Sequence, residues 1–388
     1  MTKVQRGILF LLAIVCAVAT ANASTPSNVV NVDCNQGQSL SRALAKLDKH
    51  TPTTVVVNGA CAESVQVVGF ENLTLKGLPG ASLVQPSTSD SSPLGNPLLI
   101  ESSSSVLVTG FSVNATTTTA IGIGHGSTDI RLRNLNVTGG GPGIVVFENS
   151  QVSIAYVKAQ SPGYAILAIY DSSDVHFEHS QLKAMPGWVQ GIRLGASHIT
   201  MYDVTITNAQ IGIAATTGSI VDMWYYSSYY QPGNSTDITI SNPAGTNTYG
   251  VQVDAGGSLN VGARLVIDKA GQPWGGTSAG ILLSNGSSMY ATTGNLSITR
   301  SYGQGVVAMN NSHATISGTV QGSGHGGLVA TNLSSIDVAT ASTLSTVGGN
   351  GVDLFCDANS WVTGTANIAG VPIAQCTNLL PTETAALP

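Results

Sequence analysis

The chain repeats one pattern of apolar and polar positions, in which a small residue, usually glycine, precedes a short apolar run. The apolar runs begin at Ile121, Ile144, Ile166, Ile192, Ile213, Val251, Ile281, Val306, Leu328 and Val352. Successive starts are separated by 23, 22, 26, 21, 38, 30, 25, 22 and 24 residues. A period in the low twenties with strand patterning predicts a solenoid. The 38-residue interval predicts a short extra coil and an inserted loop around residues 222–231.

A second strand is predicted in each repeat, after a turn rich in Ser, Asn and Gly. Examples are residues 129–132, 151–154, 174–177, 198–201 and 237–240. Apolar and polar residues alternate in these strands, which indicates that one face of each strand is buried. Because no single coil can bury that face alone, we expect stacked coils around a continuous apolar column. The predicted fold class is therefore all-β, a right-handed parallel β-helix solenoid.

Both ends of the predicted solenoid depart from the repeat. Apolar residues at 40, 43, 44 and 47 have helical spacing, which predicts a capping helix over residues 39–49 with Ser39 as its N-cap. We interpret this helix as a plug over the first coil. The tail from Val371 contains proline and is less periodic, so it is predicted to cover the other end, with residues 381–388 frayed.

The N-terminus has the features of a secretory signal. Lys3 and Arg6 form a basic region, residues 7–20 form an apolar core, and residues 21–23 give a small-x-small cleavage pattern. The apolar core is too short for a stable membrane span. We therefore expect a secreted protein, extracellular or periplasmic. The predicted segments are a signal peptide (1–23), an N-terminal cap (24–61), the β-helix (62–376) and a C-terminal tail (377–388).

Charge narrows the classes of partner. Removing Lys3 and Arg6 from the 14 basic residues leaves 12 against 20 acidic residues, a net charge of about −8. This balance argues against nucleic acid and against anionic membrane surfaces. Only 9% of the residues are charged, but the apolar fraction of 42% is normal and the chain contains 45 glycines. That composition fits a β-rich protein with many tight turns rather than a disordered one.

Four cysteines remain after the predicted cleavage, one pair near each end. In an oxidising compartment they predict the disulfides Cys34–Cys61 and Cys356–Cys376, because the two ends of a solenoid cannot meet. Four buried free thiols are the alternative. The spacings do not fit a zinc site, and the acidic residues form no calcium loop, so no metal or cofactor is predicted.

The N-terminal strands carry a family resemblance. Residues 54–59 (TVVVNG) and 73–77 (LTLKG), which follow the predicted helix, resemble the start of the pectate-lyase-like superfold. The later Gly-Ile-x-Leu and Ser-x-Ile-x-Leu strands resemble right-handed β-helix repeat proteins, so the resemblance spans residues 34–376. It implies the fold and a substrate groove along one outer face, where many such enzymes bind acidic polysaccharides. It does not define an activity, because the superfold includes lyases, hydrolases, epimerases, esterases and adhesins.

Most motifs of the best-known enzymes of that superfold are missing. Two Gly-His-Gly elements, at His125 and His325, resemble one motif of polygalacturonase-like hydrolases, but Asn-Thr-Asp, Arg-Ile-Lys and adjacent Asp-Asp do not occur. Because an inverting hydrolase needs two carboxylates across the scissile bond, both histidines are predicted to be turn residues. The Arg-x-Pro-x-x-Arg element of pectate lyases and the pectin-esterase motifs are also absent.

Alignment of the second strands places polar side chains in outward rows. The rows are Arg131, Ser153, His176, Thr200; Arg133, Ala155, Glu178, Tyr202; Asp129, Gln151, Asp174, His198; and Asn134, Tyr156, His179, Asp203. Adjacent coils lie about 4.8 Å apart. The candidate catalytic residues are therefore His176, Glu178, His198, Arg133, Asp174 and Tyr202, where a histidine could abstract a proton beside a uronate carboxyl group. The alternative is a solvated sheet face with weak ion pairs.

A second candidate surface is aromatic. The candidate substrate-binding residues are Trp224, Tyr225, Tyr226, Tyr229 and Tyr230 in the inserted loop, and Trp188 in a loop near the charged rows. Exposed rings stack on the apolar faces of sugars, and interfaces favour Tyr and Trp. The alternative is a loop that folds its own aromatic side chains onto the solenoid.

The favoured function is polysaccharide binding at the cell surface or outside the cell, by a monomer. The first alternative is an enzyme, either a lyase or epimerase that acts on a uronate polymer, with His176 or His198 as base, or a glycoside hydrolase. The second alternative is a non-catalytic structural or adhesive surface protein. The missing catalytic motifs favour binding or structure over catalysis.

Overall fold

The fold is built from coils that each contribute up to three short strands. The computed structural model describes residues 28–372 except 87–94, 188, 225–236, 242–248, 271–277, 292–293, 322, 325, 340–342, 346–351, 358, 365–366 and 369–370. Equivalent strands of successive coils stack into three faces, which we call face 1, face 2 and face 3 in chain order. The described chain is thus an all-β parallel solenoid of about twelve turns.

The strands are distributed over the three faces as follows. Face 1 contains Asn28–Asp33, Thr53–Asn58, Leu73–Gly77, Leu107–Thr109, Ile130–Arg133, Gln151–Ala155, Ile220–Met223, Ser258–Val261, Ser288–Ala291, His313–Ile316, Ser335–Val338 and Trp361–Gly364. Face 2 contains Ala60–Ala62, Ser82–Val84, Ser112–Asn114, Asn136–Thr138, Lys158–Ser161, Ile238–Ser241, Leu265–Asp268, Leu296–Thr299, Gly318–Gln321, Thr343–Ser345 and Asn367–Ile368, which pairs with Val371–Pro372. Face 3 contains Val65–Val68, Leu98–Glu101, Ile121–Gly124, Ile144–Val146, Ala165–Tyr170, Gln190–Gly195, Ile211–Thr216, Tyr249–Val253, Ala279–Leu283, Gln304–Met309, Gly326–Thr331 and Val352–Cys356.

Two long strands join faces 1 and 2. Asp174–Ala184 and His198–Thr207 run through the corner without a break, and each pairs with a face 1 strand and a face 2 strand. These two strands therefore carry outward side chains from face 1 onto face 2, and their pairing is interrupted at the corner, where His179 and Asp203 have positive φ.

The predicted inward column is confirmed. Ile130 pairs with Val152, Val152 with Val175, and Val175 with Ile199, all in parallel register. The inward side chains form one apolar cluster that extends from Val32 to Val362. Each fully buried Val, Leu, Ile or Phe contributes about 1.5–3 kcal/mol, so stacking provides the driving force that no single coil has.

A ladder of serines fills the corner between face 3 and face 1. Its buried members are Ser103, Ser127, Ser150, Ser173, Ser197, Ser219, Ser287, Ser312, Ser334 and Ser360. The backbone N–H of Ser173 donates to Oγ of Ser197 (3.3 Å), and the N–H of Ser197 donates to Oγ of Ser219 (3.4 Å). Hydroxyl groups thus satisfy buried N–H groups where the chain turns and sheet pairing stops.

The 38-residue interval is a single coil, because Ile213 pairs directly with Val251. The predicted extra coil is therefore wrong. Asp222 lies in the strand Ile220–Met223 rather than in the inserted loop. The strand Ile238–Ser241 pairs with face 2 strands, so residues 237–240 do not belong with the face 1 strands as predicted.

The register differs from the sequence alignment at two repeats. Ile144 pairs with Leu167 rather than with Ile166, and Leu328 pairs with Leu354 rather than with Val352. Several neighbouring residues in each run are apolar, so composition alone does not determine which one points inward.

The N-terminal helix is shorter than predicted and covers Leu40–Leu44. Oγ of Ser39 accepts from the N–H of Arg42 (3.1 Å), which confirms the N-cap. Leu40 and Leu44 are buried in the core, and the Glu63 carboxylate accepts from the N–H of Leu40 (2.6 Å). The plug role of this helix stays a prediction. Parallel pairing already begins with Asn28–Asp33, which lies inside the segment predicted as the cap.

The disulfide Cys34–Cys61 is confirmed. Cys356 is also disulfide-bonded, but Cys376 lies outside the described residues, so its pairing stays a prediction. In the described part of the chain, no helix has the length and apolar character required to cross a membrane.

Candidate functional site

The predicted polar rows lie on the outer side of face 1. The registers place His176 beside Ser153 and Thr200, and Glu178 beside Ala155 and Tyr202. Asp174 pairs with His198 in the next coil. Most of the candidate catalytic residues therefore lie on two neighbouring strands, Asp174–Ala184 and His198–Thr207.

His198 is held between carboxylates from the coils on either side. Its Nδ1 is 2.8 Å from Oδ1 of Asp174, and its Nε2 is 3.1 Å from Oδ2 of Asp222. Asp222 in turn accepts from Nδ2 of Asn260 (2.7 Å). The hydrogen bond to Asp174, with that to Asp222, raises the pKa of His198, and the hydrogen bond from His198 lowers the pKa of Asp174. Carboxylates on both ring nitrogens favour the imidazolium form of His198, in which each nitrogen donates to one of them.

His176 has a different environment. Its Nε2 lies 3.3 Å from Oε2 of Glu178, and Nδ1 has no hydrogen-bond partner among the described residues. The hydrogen bond with His176 lowers the pKa of Glu178, with a small further contribution from Arg133. Between the two candidate bases, only His176 has a ring nitrogen that is available to a substrate proton. The side chain of Arg133 is two coils away from Glu178 and is not bonded to a described carboxylate.

A histidine in the corner between faces 1 and 2 completes the cluster. Nδ1 of His179 lies 2.5 Å from Oδ2 of Asp203, and the rings of His179 and Tyr156 are stacked with centroids 4.9 Å apart. The ring of Tyr202 meets His179 edge-on at 5.2 Å and lies 5.6 Å from the ring of His176. The corner therefore joins the charged groups to exposed aromatic rings.

Aromatic side chains continue along face 1 in later coils. Trp224, Tyr290 and Trp361 are 50%, 55% and 47% exposed. A Cβ built on Gly262 would lie 3.3 Å from Cε3 of Trp224, so the indole rests against the next coil. From Tyr156 to Trp361 the strip spans eight coil spacings, about 38 Å at about 4.8 Å each.

The candidate aromatic loop is only partly described. Trp224 is exposed at the end of Ile220–Met223, whereas Tyr225, Tyr226, Tyr229, Tyr230 and Trp188 lie outside the described residues. Their roles stay predictions.

Sequence reasoning missed several members of this surface. Asp222 follows His198 by 24 residues, one ordinary repeat, but the aromatic run after it suggested a loop. Asn260 and Tyr290 are in register with Asp222 across the inserted segment. His179 and Asp203 were aligned in one row, but the sequence did not indicate that their side chains meet.

Two other features lie away from this surface: the Gly-His-Gly element at His125 and a set of possible metal ligands near the N-terminus. His125 has positive φ (53°) in a turn, as predicted, and its ring nitrogens contact Glu101 (3.2 Å) and Glu148. His325 lies outside the described residues. Within the described ranges, the group of possible metal ligands is Cys34, Cys61 and Glu63, but the two sulfurs form the disulfide.

Comparisons with known proteins concern the fold alone. No family model and no curated protein matches the chain. Among solved structures, it is similar to the catalytic unit of a GH87 α-1,3-glucanase from Streptomyces thermodiastaticus, at 13% identity over 90% of this chain and 70% of that chain (TM-score 0.44).

Two further structures are similar to the chain at lower TM-scores. PfbA, a surface adhesin of Streptococcus pneumoniae, is 9% identical over 87% of this chain and 89% of that chain (TM-score 0.33). Tailspike protein 3 of bacteriophage CBA120 is 11% identical over 88% of this chain and 62% of that chain (TM-score 0.32). The strand pairing described above makes the described chain a parallel β-solenoid.

Proposed function

We propose that this protein binds a neutral polysaccharide outside the cell, along face 1. The observation that carries the proposal is a series of four half-exposed rings, which lie two or three coils apart and in four different outward rows of the face: Tyr156, Trp224, Tyr290 and Trp361. A polymer laid obliquely across these rows would meet the rings in succession, and flat aromatic faces suit the apolar faces of sugar rings.

Charge favours a neutral ligand over an acidic one. Asp174, Glu178, Asp203 and Asp222 lie within three successive coils, and His198 is the histidine among them with a raised pKa. The surface is therefore acidic at neutral pH and would repel a polyuronate. Thr200 and Asn260, on the coils either side of Asp222, are placed to exchange hydrogen bonds with sugar hydroxyl groups.

Catalysis is a second candidate function, and it depends on His176. Nδ1 of this histidine has no partner among the described residues, and Glu178 orients the ring through Nε2. This pair could act as a positioned base and its carboxylate partner. His198 is disfavoured in that role because both of its ring nitrogens already contact carboxylates.

Affinity electrophoresis in gels that contain single polysaccharides tests the binding. We expect retardation by at least one neutral glucan, xylan or mannan. We expect the dissociation constant to rise about tenfold in Trp224→Ala and in Tyr290→Ala, since each anchor ring is worth on the order of 1–2 kcal/mol. Tyr302→Ala removes a partly exposed ring outside face 1 and is the matched control.

Equal retardation of wild type and the three variants would refute the face 1 site.

To test catalysis, the same polymers are incubated with wild type and with His176→Gln, and products are followed by mass spectrometry. Products that vanish in His176→Gln would establish an enzyme, whereas binding without products in any polymer would support the binding function alone.

A further inference from the structure

Face 3 begins with a strand that leaves one edge of its sheet open. Val65–Val68 pairs with Leu98–Glu101 of the next coil, and among the described residues it is the terminal strand of this sheet. The N–H groups of Val65 and Gly69 donate to carbonyl groups of that next coil (3.0 and 3.1 Å). Successive residues of a strand direct their backbone groups to opposite sides, so the residues that alternate with these two face the open edge.

The residues that face the open edge are Gln66 and Val68. Within the described ranges, the backbone N–H and C=O groups of both residues have no hydrogen-bond partner. Strand N–H and C=O groups are obligatory hydrogen-bonding groups, and an unpaired row of them is a template for another extended chain. The edge of face 3 therefore has donors and acceptors available for one more strand.

This open edge lines a cleft of about 590 Å³, a volume in the range of ligand-binding sites. The lining also includes residues of the helix Leu40–Leu44 and of the segment that follows it. Oγ of Ser41 donates to the carbonyl oxygen of Ser64 (3.1 Å), so the helix is fastened to the chain just before the strand. Gln66 and Val68 line the cleft beyond that contact. The two residues with unpaired backbone groups therefore lie in a cleft that has room for a ligand.

The cleft is cationic, although the protein as a whole is acidic. Arg42 and Lys49 line it, and in the described part of the chain no carboxylate lies within ion-pair distance of either one. The Lys49 ammonium lies 5.9 Å from the centroid of the Phe70 ring, which also lines the cleft. Glu63 is a further lining residue, but its carboxylate accepts hydrogen bonds from the N-terminal end of the helix. The two cations therefore remain available to carboxylates from outside the chain.

We propose that this cleft binds an acidic segment of a partner protein, which enters in extended conformation and adds a strand to face 3. Backbone groups of the segment pair with Gln66 and Val68, and its carboxylates pair with Arg42 and Lys49. A helical segment has no free backbone groups to offer, and a small anion would leave the edge unpaired. The edge thus selects extended backbone, and the cations select acidic side chains. The site does not depend on the proposed function of face 1.

Fluorescence anisotropy with the dye-labelled peptide acetyl-Val-Asp-Val-Asp-Val-amide tests the site. We expect wild type to bind this peptide about tenfold more tightly than its Val-Lys-Val-Lys-Val counterpart, and more weakly as salt is raised. A third peptide keeps both aspartates but is N-methylated along its backbone, so it keeps the charge and loses the hydrogen-bond donors. Its affinity should be about tenfold lower than that of the acidic peptide.

Variants of the protein test the two kinds of contact separately. Arg42→Ala/Lys49→Ala should weaken binding of the acidic peptide about tenfold, whereas Lys158→Ala, which removes an exposed lysine of face 2, should bind like wild type. Val68→Pro removes one N–H of the open edge and leaves the pairing with the next coil in place, so it should weaken binding about fivefold. Its melting temperature shows whether this variant has folded. If it has not, the N-methylated peptide tests the same hydrogen bonds on the unmodified protein.

Other results would overturn the proposal. Wild type that binds none of the peptides would show that the helix already closes the edge. Equal affinity for the acidic and the N-methylated peptide would show that charge alone is recognised. Sedimentation that finds dimers of wild type and monomers of Val68→Pro would assign the edge to a second copy of this chain. Trp224→Ala should bind the acidic peptide like wild type, because face 1 takes no part.

Discussion

The replacement His198→Gln removes the cation that Asp174 and Asp222 share, and it should loosen the stack of coils around it. The Asp222 side chain is only 18% exposed, so its hydrogen bond with His198 should contribute close to 1 kcal/mol. The Asp174 side chain is 57% exposed, and solvent screening reduces its contribution to a few tenths of a kcal/mol. We expect a local loss of about 1–1.5 kcal/mol.

The size of the effect decides the assay. In a chain of this length, 1 kcal/mol shifts the melting temperature by only about 1 °C. Native-state hydrogen exchange is local, and 1 kcal/mol changes a protection factor about fivefold. The amide N–H of Ile220, which donates to the carbonyl of Ser197 (2.9 Å), reports on the pairing of the two strands. Its protection should fall about five- to tenfold in His198→Gln at pH 6.

The pH dependence follows from the pKa shifts. The pKa of His198 is raised above its ordinary value of 6.5. The stability that protonated His198 contributes is therefore complete below pH 6.5 and is lost as the pH rises through the folded-state pKa. The pKa of Asp174 is lowered below its ordinary value of 3.8. The stability that ionised Asp174 contributes is therefore complete above pH 3.8 and is lost as the pH falls through the folded-state pKa. The variant should therefore differ most from wild type between pH 3.8 and 6.5, and much less at pH 9.

His313→Gln is the matched control. His313 is in register with Ser335 on the same face, and its Nδ1 contacts Oγ of Ser335 (2.7 Å), while Asp337 is 3.8 Å from Nε2. Protection of the Ser335 N–H should change less than twofold. Equal protection of Ile220 in wild type and His198→Gln at pH 6, or a difference that persists unchanged at pH 9, would refute the reasoning.

Three further predictions concern the fold. The double variant Cys34→Ala/Cys61→Ala removes a disulfide that spans 27 residues and should lose about 3.5 kcal/mol of local stability. The loss should appear as faster hydrogen exchange of the backbone amides in Thr53–Asn58. Unchanged exchange would contradict this prediction. Gly212→Ala places a Cβ 2.5 Å from the carbonyl oxygen of Gly250, whereas the Cβ of the control Gly195→Ala meets only a movable Tyr170 side chain at 3.1 Å. The urea midpoint of Gly212→Ala should therefore be well below that of Gly195→Ala. Equal midpoints would be inconsistent with this packing. Ser197→Ala leaves the buried N–H of Ser173 without its acceptor, which costs about 1–3 kcal/mol. The hydrogen-exchange protection of that N–H should therefore fall. The control Ser153→Ala, which changes an outward serine, should leave the protection unchanged.

Much of the architecture could be read from the sequence. Glycine-led apolar runs at a nearly constant interval, with alternating strands between them, predict stacked coils because each coil has an apolar face that only its neighbours can cover. The same alignment placed His176, Glu178, His198 and Tyr202 on one outer surface, as the registers confirm. The Cys34–Cys61 disulfide also followed from the order of the cysteines along a solenoid.

Tertiary structure decided the features that depend on pairing between coils. Only the ladder showed that Ile213 pairs with Val251 and that Asp222 therefore belongs to face 1. Only side-chain geometry showed that His198 is enclosed by two carboxylates. Local pattern determines that a residue lies on a strand. Which side chains meet is determined by register between coils about 24 residues apart, where one displaced residue changes every neighbour.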